Sequence, residues 1–192
     1  MNPYGASKLA AERLLKDRQQ AGQGEYAILR YFNAAGGAGD FGEDHRPETH
    51  LIPLAITAAL GQRGPLTLHG TDYETPDGTC VRDYIHISDL ADAHVRALTW
   101  LLEGRGSNDW NLGTENGASV REVLEAVGAG LGRSVPYVEG PRRPGDPSRL
   151  VASAAKAERD LQWSPKYKDV NAIVKTAIEW HQNYPEGYDS KP

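Results

Sequence analysis

A tyrosine and a lysine near the start of the chain have the spacing of a catalytic pair. Tyr4 and Lys8 lie in the run Asn2-Pro3-Tyr4-Gly5-Ala6-Ser7-Lys8, and residues four apart meet on one face of a helix. A phenol ordinarily ionises near pH 10, and a cation in contact stabilises the phenolate. The spacing therefore predicts a base with its tuning lysine, although the same spacing also occurs on ordinary solvated helix faces.

Composition and charge indicate a protein with a real hydrophobic core and no surface for polyanions. The 192 residues are 39% hydrophobic, and the formal net charge of −5 comes from scattered charges. We therefore expect no nucleic-acid partner and no membrane partner, and anionic substrates need local arginines. The single cysteine, Cys80, suits a reducing compartment, and no stretch is long and apolar enough to span a bilayer. From this we expect a cytoplasmic protein.

The histidines do not show the sequence pattern of a metal site. They stand at positions 45, 50, 69, 86, 94 and 181, and none forms a tight ligand pair with carboxylates along the sequence. A single cysteine also excludes a Cys-rich zinc site. We therefore expect no metal site.

Local patterns predict alternating helices and strands, and therefore an α/β fold. Asn2 caps a predicted helix that begins at Pro3 and continues to about Gly22. Its apolar stripe is Leu9, Leu14 and Leu15. The predicted strands are 26–32, 66–69, 80–87, 110–113 and 135–139. Further helices are predicted at 51–60, 120–131, 153–161 and 170–182, and one more is predicted to begin near a cap at Ser88 or Asp89. Ser119 and Glu122 form the capping box of the helix 120–131, which ends at Gly132, and Asp169 caps the helix 170–182.

The run Gly37-Ala38-Gly39-Asp40-Phe41-Gly42 fits the string GxGxxG of dinucleotide-binding turns, but its context differs. That turn needs a helix that opens at the last glycine, so that the helix N-terminus meets the pyrophosphate. Here the acidic, proline-interrupted run Glu43-Asp44-His45-Arg46-Pro47 follows. We therefore predict a loop rather than a phosphate cradle. Neither GxxxxGK[ST] nor GxSxG occurs in the chain.

A second proline- and glycine-rich run lies at positions 140–147 and carries three charges, on Arg142, Arg143 and Asp146. Its composition is too irregular for a helix or strand but gives a stiff frame. We expect such a loop to present side chains to a ligand.

Six runs spread over the chain together resemble one enzyme family. They are Asn2–Lys8, Arg30–Asn33, Arg46–Pro53, Thr75–His86, Trp110–Gly113 and Arg142–Asp146. The family is the extended short-chain dehydrogenase/reductases and, within it, the UDP-glucose 4-epimerases, and the resemblance runs from residue 2 to about residue 188. The first run is shared across the superfamily, whereas the run Thr75–His86 points to epimerases rather than to their dehydratase relatives.

The resemblance implies an isomerase that interconverts UDP-glucose and UDP-galactose through transient NAD-dependent oxidation at sugar C4. It also implies a remnant of a doubly wound parallel (Rossmann-type) sheet, to which approximately 1–45 and 82–110 belong. A smaller C-terminal α/β lobe, approximately 46–81 and 111–192, would bind the UDP-sugar.

Roles for single residues also follow from the resemblance. Tyr4 would be the base, Lys8 would tune it and bind the nicotinamide ribose, and Phe32 would lie beside the nicotinamide of NAD. The implied substrate-binding residues are Asn33, His50, Leu51, Thr67, Leu68, His69, Arg82, Arg143 and Asp146. Among these, Arg82 and Arg143 would grip the diphosphate, since guanidinium forks suit phosphate oxygens. Of the others, Asn33 would contact the substrate, His50 and Leu51 would belong to a backbone segment near the uridine diphosphate, Asp146 would contact the uridine ribose, and residues 67–69 would border the uracil. Apart from the resemblance, we expect Asp83 and His86 to brace their strand.

Family members begin with a strand and a glycine-rich turn for NAD and place a Ser or Thr shortly before the tyrosine, and this sequence has neither. We therefore expect the C-terminal part of a longer, homodimeric epimerase, inactive as this fragment alone. Apolar surface should then be exposed on the first helix and on the strand 26–32. Two alternatives stay open, namely a non-catalytic UDP-sugar-binding module and a related nucleotide-sugar decarboxylase or dehydratase.

Overall fold

Short strands alternate with helices in the computed structural model, which describes residues 3–190, so the predicted cap Asn2 lies outside the described residues. The helices are α1 Pro3–Gln20, α2 Leu51–Ala59, α3 Ile87–Leu102, α4 Val120–Leu131, α5 Ala155–Leu161 and α6 Val170–Asn183, followed by a 3₁₀ turn Gly187–Ser190. The strands are β1 Ala27–Tyr31, β2 Asn33–Ala35, β3 Leu66–His69, β4 Val81–Arg82, β5 Tyr84–His86, β6 Asn108–Leu112, β7 Ala118–Ser119, β8 Tyr137–Gly140 and β9 Arg149–Leu150. No helix within residues 3–190 is long and apolar enough to cross a membrane.

Most strand pairs are parallel, which confirms the predicted α/β class. β1 pairs with β6, β2 with β5, and β3 with β8, all in parallel. In these pairs Leu29 lies opposite Trp110, and Asn33 lies opposite Tyr84. β4 lies between β9, which is parallel to it, and β7, which is antiparallel.

The predicted strand 80–87 is divided at Asp83 because the chain changes its pairing partner there. The Asp83 N–H donates to the Leu150 carbonyl at 3.2 Å, whereas its carbonyl accepts from the Asn33 N–H at 3.1 Å. β4 therefore belongs to the β7-β4-β9 sheet and β5 pairs with β2.

The Asp83 side chain joins three segments in the interior of the protein. It is completely buried, and its Oδ1 accepts from the Thr114 N–H at 2.9 Å and from the Thr114 hydroxyl at 2.6 Å. Its Oδ2 accepts from the N–H groups of Glu115 and Ala152 at 3.3 and 3.2 Å. A Cβ on Gly113 would lie 2.4 Å from Oδ2, so only glycine fits beside this carboxylate. Asp83 thus braces its strand, as the sequence predicts.

His86, rather than Ser88 or Asp89, is the N-cap of α3. Its Nδ1 accepts from the Ser88 N–H at 3.1 Å, its Nε2 lies 3.0 Å from the Thr176 hydroxyl, and its ring stacks on Tyr167 at 3.8 Å. Asp89 is unavailable as a cap because its carboxylate accepts from the Tyr167 N–H at 3.0 Å. The predicted bracing role of His86 is confirmed, but the predicted cap was wrong.

Local capping signals locate two other helices correctly. Ser119 and Glu122 form both hydrogen bonds of the capping box of α4, and the helix ends at Gly132, which has a φ of 66°. Asp169 caps α6 by accepting from the Asn171 N–H. The helix predicted to begin at Ser153 begins instead at Ala155, because the Ser153 hydroxyl donates to the Glu115 carboxylate at 3.1 Å.

Two hydrophobic clusters hold these elements together. One packs α2, α4 and α6 against β3, and the other packs α3 and α5 against β5 and β6. Trp110 and Trp163 are the largest side chains of the second cluster and are almost fully buried. The division of the chain into a Rossmann part and a substrate lobe stays a prediction.

The helix α1 lies outside both clusters and has no buried residue. Its Leu14 is 66% exposed, and Tyr31 of β1 is also exposed, so the apolar surface expected on these elements is confirmed. Arg30 and Glu12 attach the helix to β1 through two hydrogen bonds of 2.6 Å. These hydrogen bonds lower the pKa of Glu12.

We predict that Asp83→Asn lowers the free energy of unfolding by about 2–4 kcal/mol, because it replaces a carboxylate oxygen that serves buried N–H donors. Chemical denaturation of the purified chain measures the change. Asp17→Asn on the exposed face of α1 is the matched control and should change stability by less than about 0.5 kcal/mol. Equal stabilities of the two variants would contradict the bracing role of Asp83.

Stability should also fall on acidification through His86. Burial lowers the pKa of His86 below 6.5, against the opposing charge of Asp89. The contribution of neutral His86 to the free energy of unfolding is therefore complete above about pH 6.5. It is lost as the pH falls through the lowered pKa of the folded state, because the unfolded chain takes up the proton more readily. Protonation of Nδ1 would also replace the acceptor of the Ser88 N–H.

The measurement compares melting between pH 7 and pH 5 in the wild type, His86→Asn and the surface control His94→Asn. We expect the acid loss to be smaller in His86→Asn and unchanged in His94→Asn. An unchanged acid loss in His86→Asn would show that other groups cause it.

Candidate functional site

A cavity of about 470 Å³ collects side chains from several elements. β2, β3 and β4, the start of α2 and the loop after β8 all contribute to its wall. Of the residues that the sequence predicts at a substrate, those that line it are Asn33, His50, Leu51, Thr67, His69, Arg82, Arg143 and Asp146. Its volume is in the range of small-molecule sites.

Arg82 and Arg143 both line the cavity, but only the Arg82 side chain is paired with a carboxylate. The side chain of Arg82 is 13% exposed and forms an ion pair with Asp146, and it also donates to the Val81 carbonyl at 2.7 Å. Arg143 is exposed, and its side chain has no hydrogen bond or ion pair with any residue within 3–190, although its backbone carbonyl accepts from the Asp146 N–H at 3.2 Å. Of these two guanidinium groups, one is therefore fixed by a carboxylate and one is available to an anion.

The loop between β8 and β9 is fixed by the neighbouring arginine, Arg142. Its Nε donates to the Asp72 carboxylate at 2.8 Å, and its guanidinium lies 4.4 Å from the centre of the Tyr73 ring. The hydrogen bond from Arg142 lowers the pKa of Asp72. Arg142 does not line the cavity, and its contacts with Asp72 and Tyr73 fix the loop so that the next residue, Arg143, lies in the cavity wall. This agrees with the stiff loop expected from the sequence.

Neutral groups lie beside Arg82 in the cavity wall. Burial raises the pKa of the Cys80 thiol, which Arg82 opposes, and burial also raises the pKa of the Tyr84 phenol. Both groups therefore stay protonated near pH 7. Because Cys80 and Tyr84 are neutral, the negative charge that pairs with Arg82 in this part of the wall comes from Asp146.

One of the predicted substrate contacts, Leu68, points away from the cavity. Along β3 the side chains alternate, so Thr67 and His69 line the cavity whereas Leu68 is 2% exposed and belongs to the α2–α4–α6 cluster. The Leu68 side chain therefore does not line the cavity. Its strand still forms the cavity border that the sequence predicts.

The N-terminus of α2 opens into the cavity. His50 is its N-cap, Leu51 is its first residue, and no acidic residue lies in its first turn. The N–H groups at a helix N-terminus favour an anion. This end of α2 therefore adds a positive potential to that of the arginines.

Four side chains of the segment 43–50 come together at the edge of the cavity. Ligand atoms of Glu43, His45, Glu48 and His50 all lie within 4.8 Å of one another. The spacing of the histidines in the sequence did not indicate this cluster, which forms because the segment folds around Glu48. One Glu48 oxygen accepts from the N–H groups of Thr49 and His50, both at 2.7 Å.

Tyr4 and Lys8 lie on one face of α1, as their spacing predicts. The Lys8 Nζ is 5.4 Å from the centre of the Tyr4 ring, and Tyr4 is 71% exposed. Neither residue lines the cavity, and the half-buried Phe32 does not line it either. An adjacent, exposed phenol and ammonium can hydrogen-bond sugar hydroxyls, so these two residues fit the ribose of a nicotinamide cofactor.

The glycine-rich run 37–42 forms a loop, which confirms the sequence prediction. Ala38 and Phe41 exchange backbone hydrogen bonds of 2.8 and 3.1 Å, and no helix opens at Gly42. A Cβ on Gly42 would lie 2.3 Å from the Trp180 ring. The last glycine of this run therefore packs against a protein side chain rather than against a pyrophosphate.

Sequence reasoning missed several cavity residues. Arg63 adds a third guanidinium from the turn after α2, and Trp180 and His181 come from α6. Burial lowers the pKa of His181, and the charges of Glu48 and Asp44 oppose this shift. None of these residues belongs to a local motif, so only the three-dimensional packing identifies them.

Comparisons with known proteins agree with this arrangement. Residues 1–113 match the family model described as "NAD dependent epimerase/dehydratase family". A UDP-glucose 4-epimerase of Lacticaseibacillus casei is 47% identical over 192 residues, which are 99% of this chain and 58% of the relative. The chain belongs to the NAD dependent epimerase/dehydratase family.

Solved structures extend the similarity to the fold. A crystal structure of UDP-glucose 4-epimerase superimposes with a TM-score of 0.93 at 50% identity, over 98% of this chain and 59% of that chain. The Bifidobacterium longum UDP-glucose 4-epimerase, solved in complex with NAD+ and UDP, gives a TM-score of 0.87 at 37% identity over 97% of this chain and 56% of that chain. This chain thus spans between one half and two thirds of the length of these relatives and shares their Rossmann-type fold.

The free guanidinium of Arg143 predicts that the cavity binds a diphosphate group. We expect Arg143→Ala to weaken binding of inorganic pyrophosphate about tenfold, since a hydrogen bond to a charged group contributes about 1.5 kcal/mol or more. Calorimetric titration measures this, and added salt should weaken wild-type binding. Arg13→Ala on the exposed part of α1 is the matched control. Equal affinities of Arg143→Ala and the wild type would contradict the prediction.

Proposed function

We propose that the cavity binds UDP-glucose and UDP-galactose and that the chain takes part in their interconversion as a UDP-glucose 4-epimerase. The observation that carries the proposal is the meeting of Arg82, Arg143 and the strand β3 in one cavity. The names of the relatives and the UDP bound to the Bifidobacterium longum relative support it.

The charges of the cavity support the position of the diphosphate. In the proposal Arg82 and Arg143 bind its oxygens, with the N-terminus of α2 contributing N–H groups. Asp146 keeps Arg82 in place through the ion pair, and its carboxylate has further acceptor positions that accept from a ribose hydroxyl. Thr67 and His69 on β3 border the uracil.

Asn33 lies in the cavity wall, directly after Phe32 in the sequence. Its side-chain amide donates to the Asp83 carbonyl at 2.9 Å, which fixes its orientation beside the cavity. In the proposal Asn33 contacts the sugar, and Phe32 directly before it lies beside the nicotinamide. The backbone between the two residues then separates the substrate side from the cofactor side.

Tyr4 is the proposed base for the sugar 4-hydroxyl. NAD, when bound, would supply the hydride acceptor and donor at sugar C4. Tyr4 takes the proton as the hydroxyl becomes a ketone and returns it when the ketone is reduced on its other face. Lys8, next to the ring, stabilises the phenolate and hydrogen-bonds the ribose of the cofactor.

We also propose that the complete protein is a homodimer. Leucines on α1 and α3 stay exposed in the isolated chain, with Leu98 and Leu102 among the most exposed apolar side chains of α3. Such adjacent apolar positions are typical of an interface.

The experiment mixes the chain with NAD, UDP-galactose and the separately produced segment of the Lacticaseibacillus casei relative that this chain does not match. We expect UDP-glucose to form and Tyr4→Phe to lower turnover by about 10²–10⁴-fold, the range for loss of a general base. UDP binding by Tyr4→Phe should equal that of the wild type, and Tyr31→Phe is the matched control.

Three results would contradict the proposal in different ways. Full turnover by Tyr4→Phe would exclude Tyr4 as the base. UDP binding without turnover, although the two parts associate, would favour a non-catalytic binding module. A product other than the C4 epimer would indicate a decarboxylase or dehydratase.

A further inference from the structure

The segment between Glu43 and His50 places two imidazoles and two carboxylates around one point. The His50 Nδ1 lies 2.8 Å from a Glu48 oxygen and 3.5 Å from a Glu43 oxygen, and the His45 Nδ1 lies 3.9 Å from the same Glu48 oxygen. We infer that these four residues form a binding site for a divalent transition-metal ion of the zinc class.

The separations fit the size of a tetrahedral zinc site. Zinc takes imidazole nitrogen and carboxylate oxygen at about 2.0–2.2 Å, so neighbouring ligand atoms of a tetrahedron lie roughly 3.3 Å apart. The three distances around Glu48 and His50 bracket this value, and the largest separation in the cluster is below 4.8 Å. Movements of about 1 Å in side chains that are partly exposed would complete the coordination.

The donor set selects the metal class. Imidazole ligands suit Zn²⁺, Ni²⁺ and Co²⁺, whereas Mg²⁺ and Ca²⁺ prefer sites made only of oxygen atoms. Two carboxylates offset the charge of one dication, which lowers the cost of binding it at the surface. His45 and His50 are each about half exposed, so the cation has an open path to the nitrogen atoms.

The backbone of this segment is held in place from outside the cluster. Arg46 forms an ion pair with Asp189 at 2.9 Å and donates to the Glu186 carbonyl at 2.9 Å. The Asp44 carboxylate accepts from the Tyr188 N–H at 3.0 Å. Residues directly beside the ligands thus attach to the C-terminal turn, which organises the four ligand side chains before a metal binds.

A bound cation would change the charge at the edge of the cavity. Glu43 and His50 line the cavity as well as belonging to the cluster. Without a cation the two glutamates place negative charge there, and a dication would neutralise it. The site is therefore placed to affect how anionic groups enter the cavity.

The test titrates the untagged, chelator-treated chain with Zn²⁺ by calorimetry and with Co²⁺ by visible absorption. We expect one Zn²⁺ per chain, and His45→Ala should weaken its binding at least tenfold. Co²⁺ should show the intense absorption of a four-coordinate site in the wild type but not in His45→Ala. The matched control is His94→Ala, an exposed histidine on α3 that should bind Zn²⁺ as the wild type does.

Glu43→Gln is the second variant, and circular dichroism establishes that each variant is folded. A loss of Zn²⁺ affinity in both folded variants and its retention in His94→Ala would support the site. The inference is overturned if the wild type binds no Zn²⁺, if both variants bind it like the wild type, or if Mg²⁺ competes equally.

Discussion

The arrangement of the cavity depends on the buried carboxylate of Asp83. It accepts hydrogen bonds from two segments that are distant in sequence, at the residue where the chain passes from one sheet to another. Side chains of an extended chain alternate, so the direction of Asp83 toward those donors turns Arg82 and Tyr84 toward the cavity. A buried interaction in the core thereby positions a cation at the candidate site.

The charged residues around the cavity have complementary structural tasks. Asp146 compensates Arg82, and Asp72 holds Arg142 on the outer side of the same loop. The side chain of Arg143, in the same loop, has no hydrogen bond or ion pair with any described residue. The positive charge of the Arg143 side chain is therefore available where an anionic ligand would bind, although the whole chain is acidic.

Local signals in the sequence predict much of the fold, because they act between near neighbours. The capping box at Ser119 determines the start of α4, and Gly132 determines its end. His86 caps α3 because tertiary contacts engage Asp89 elsewhere, and no local signal contains that information. The family resemblance predicts eight of the residues that line the cavity and also Leu68, whose side chain the alternation of β3 directs into the core. The cluster 43–50 and the contributions of α6 depend on folding of the whole chain, so the sequence did not predict them.

A crystal structure of this chain with UDP is the most direct test of diphosphate binding by Arg82 and Arg143, because it locates the diphosphate. We expect the diphosphate oxygens to lie within hydrogen-bonding distance of the guanidinium groups of Arg82 and Arg143, with the uracil against β3. A diphosphate that contacts neither arginine, or that lies outside the cavity, would contradict this proposed binding mode.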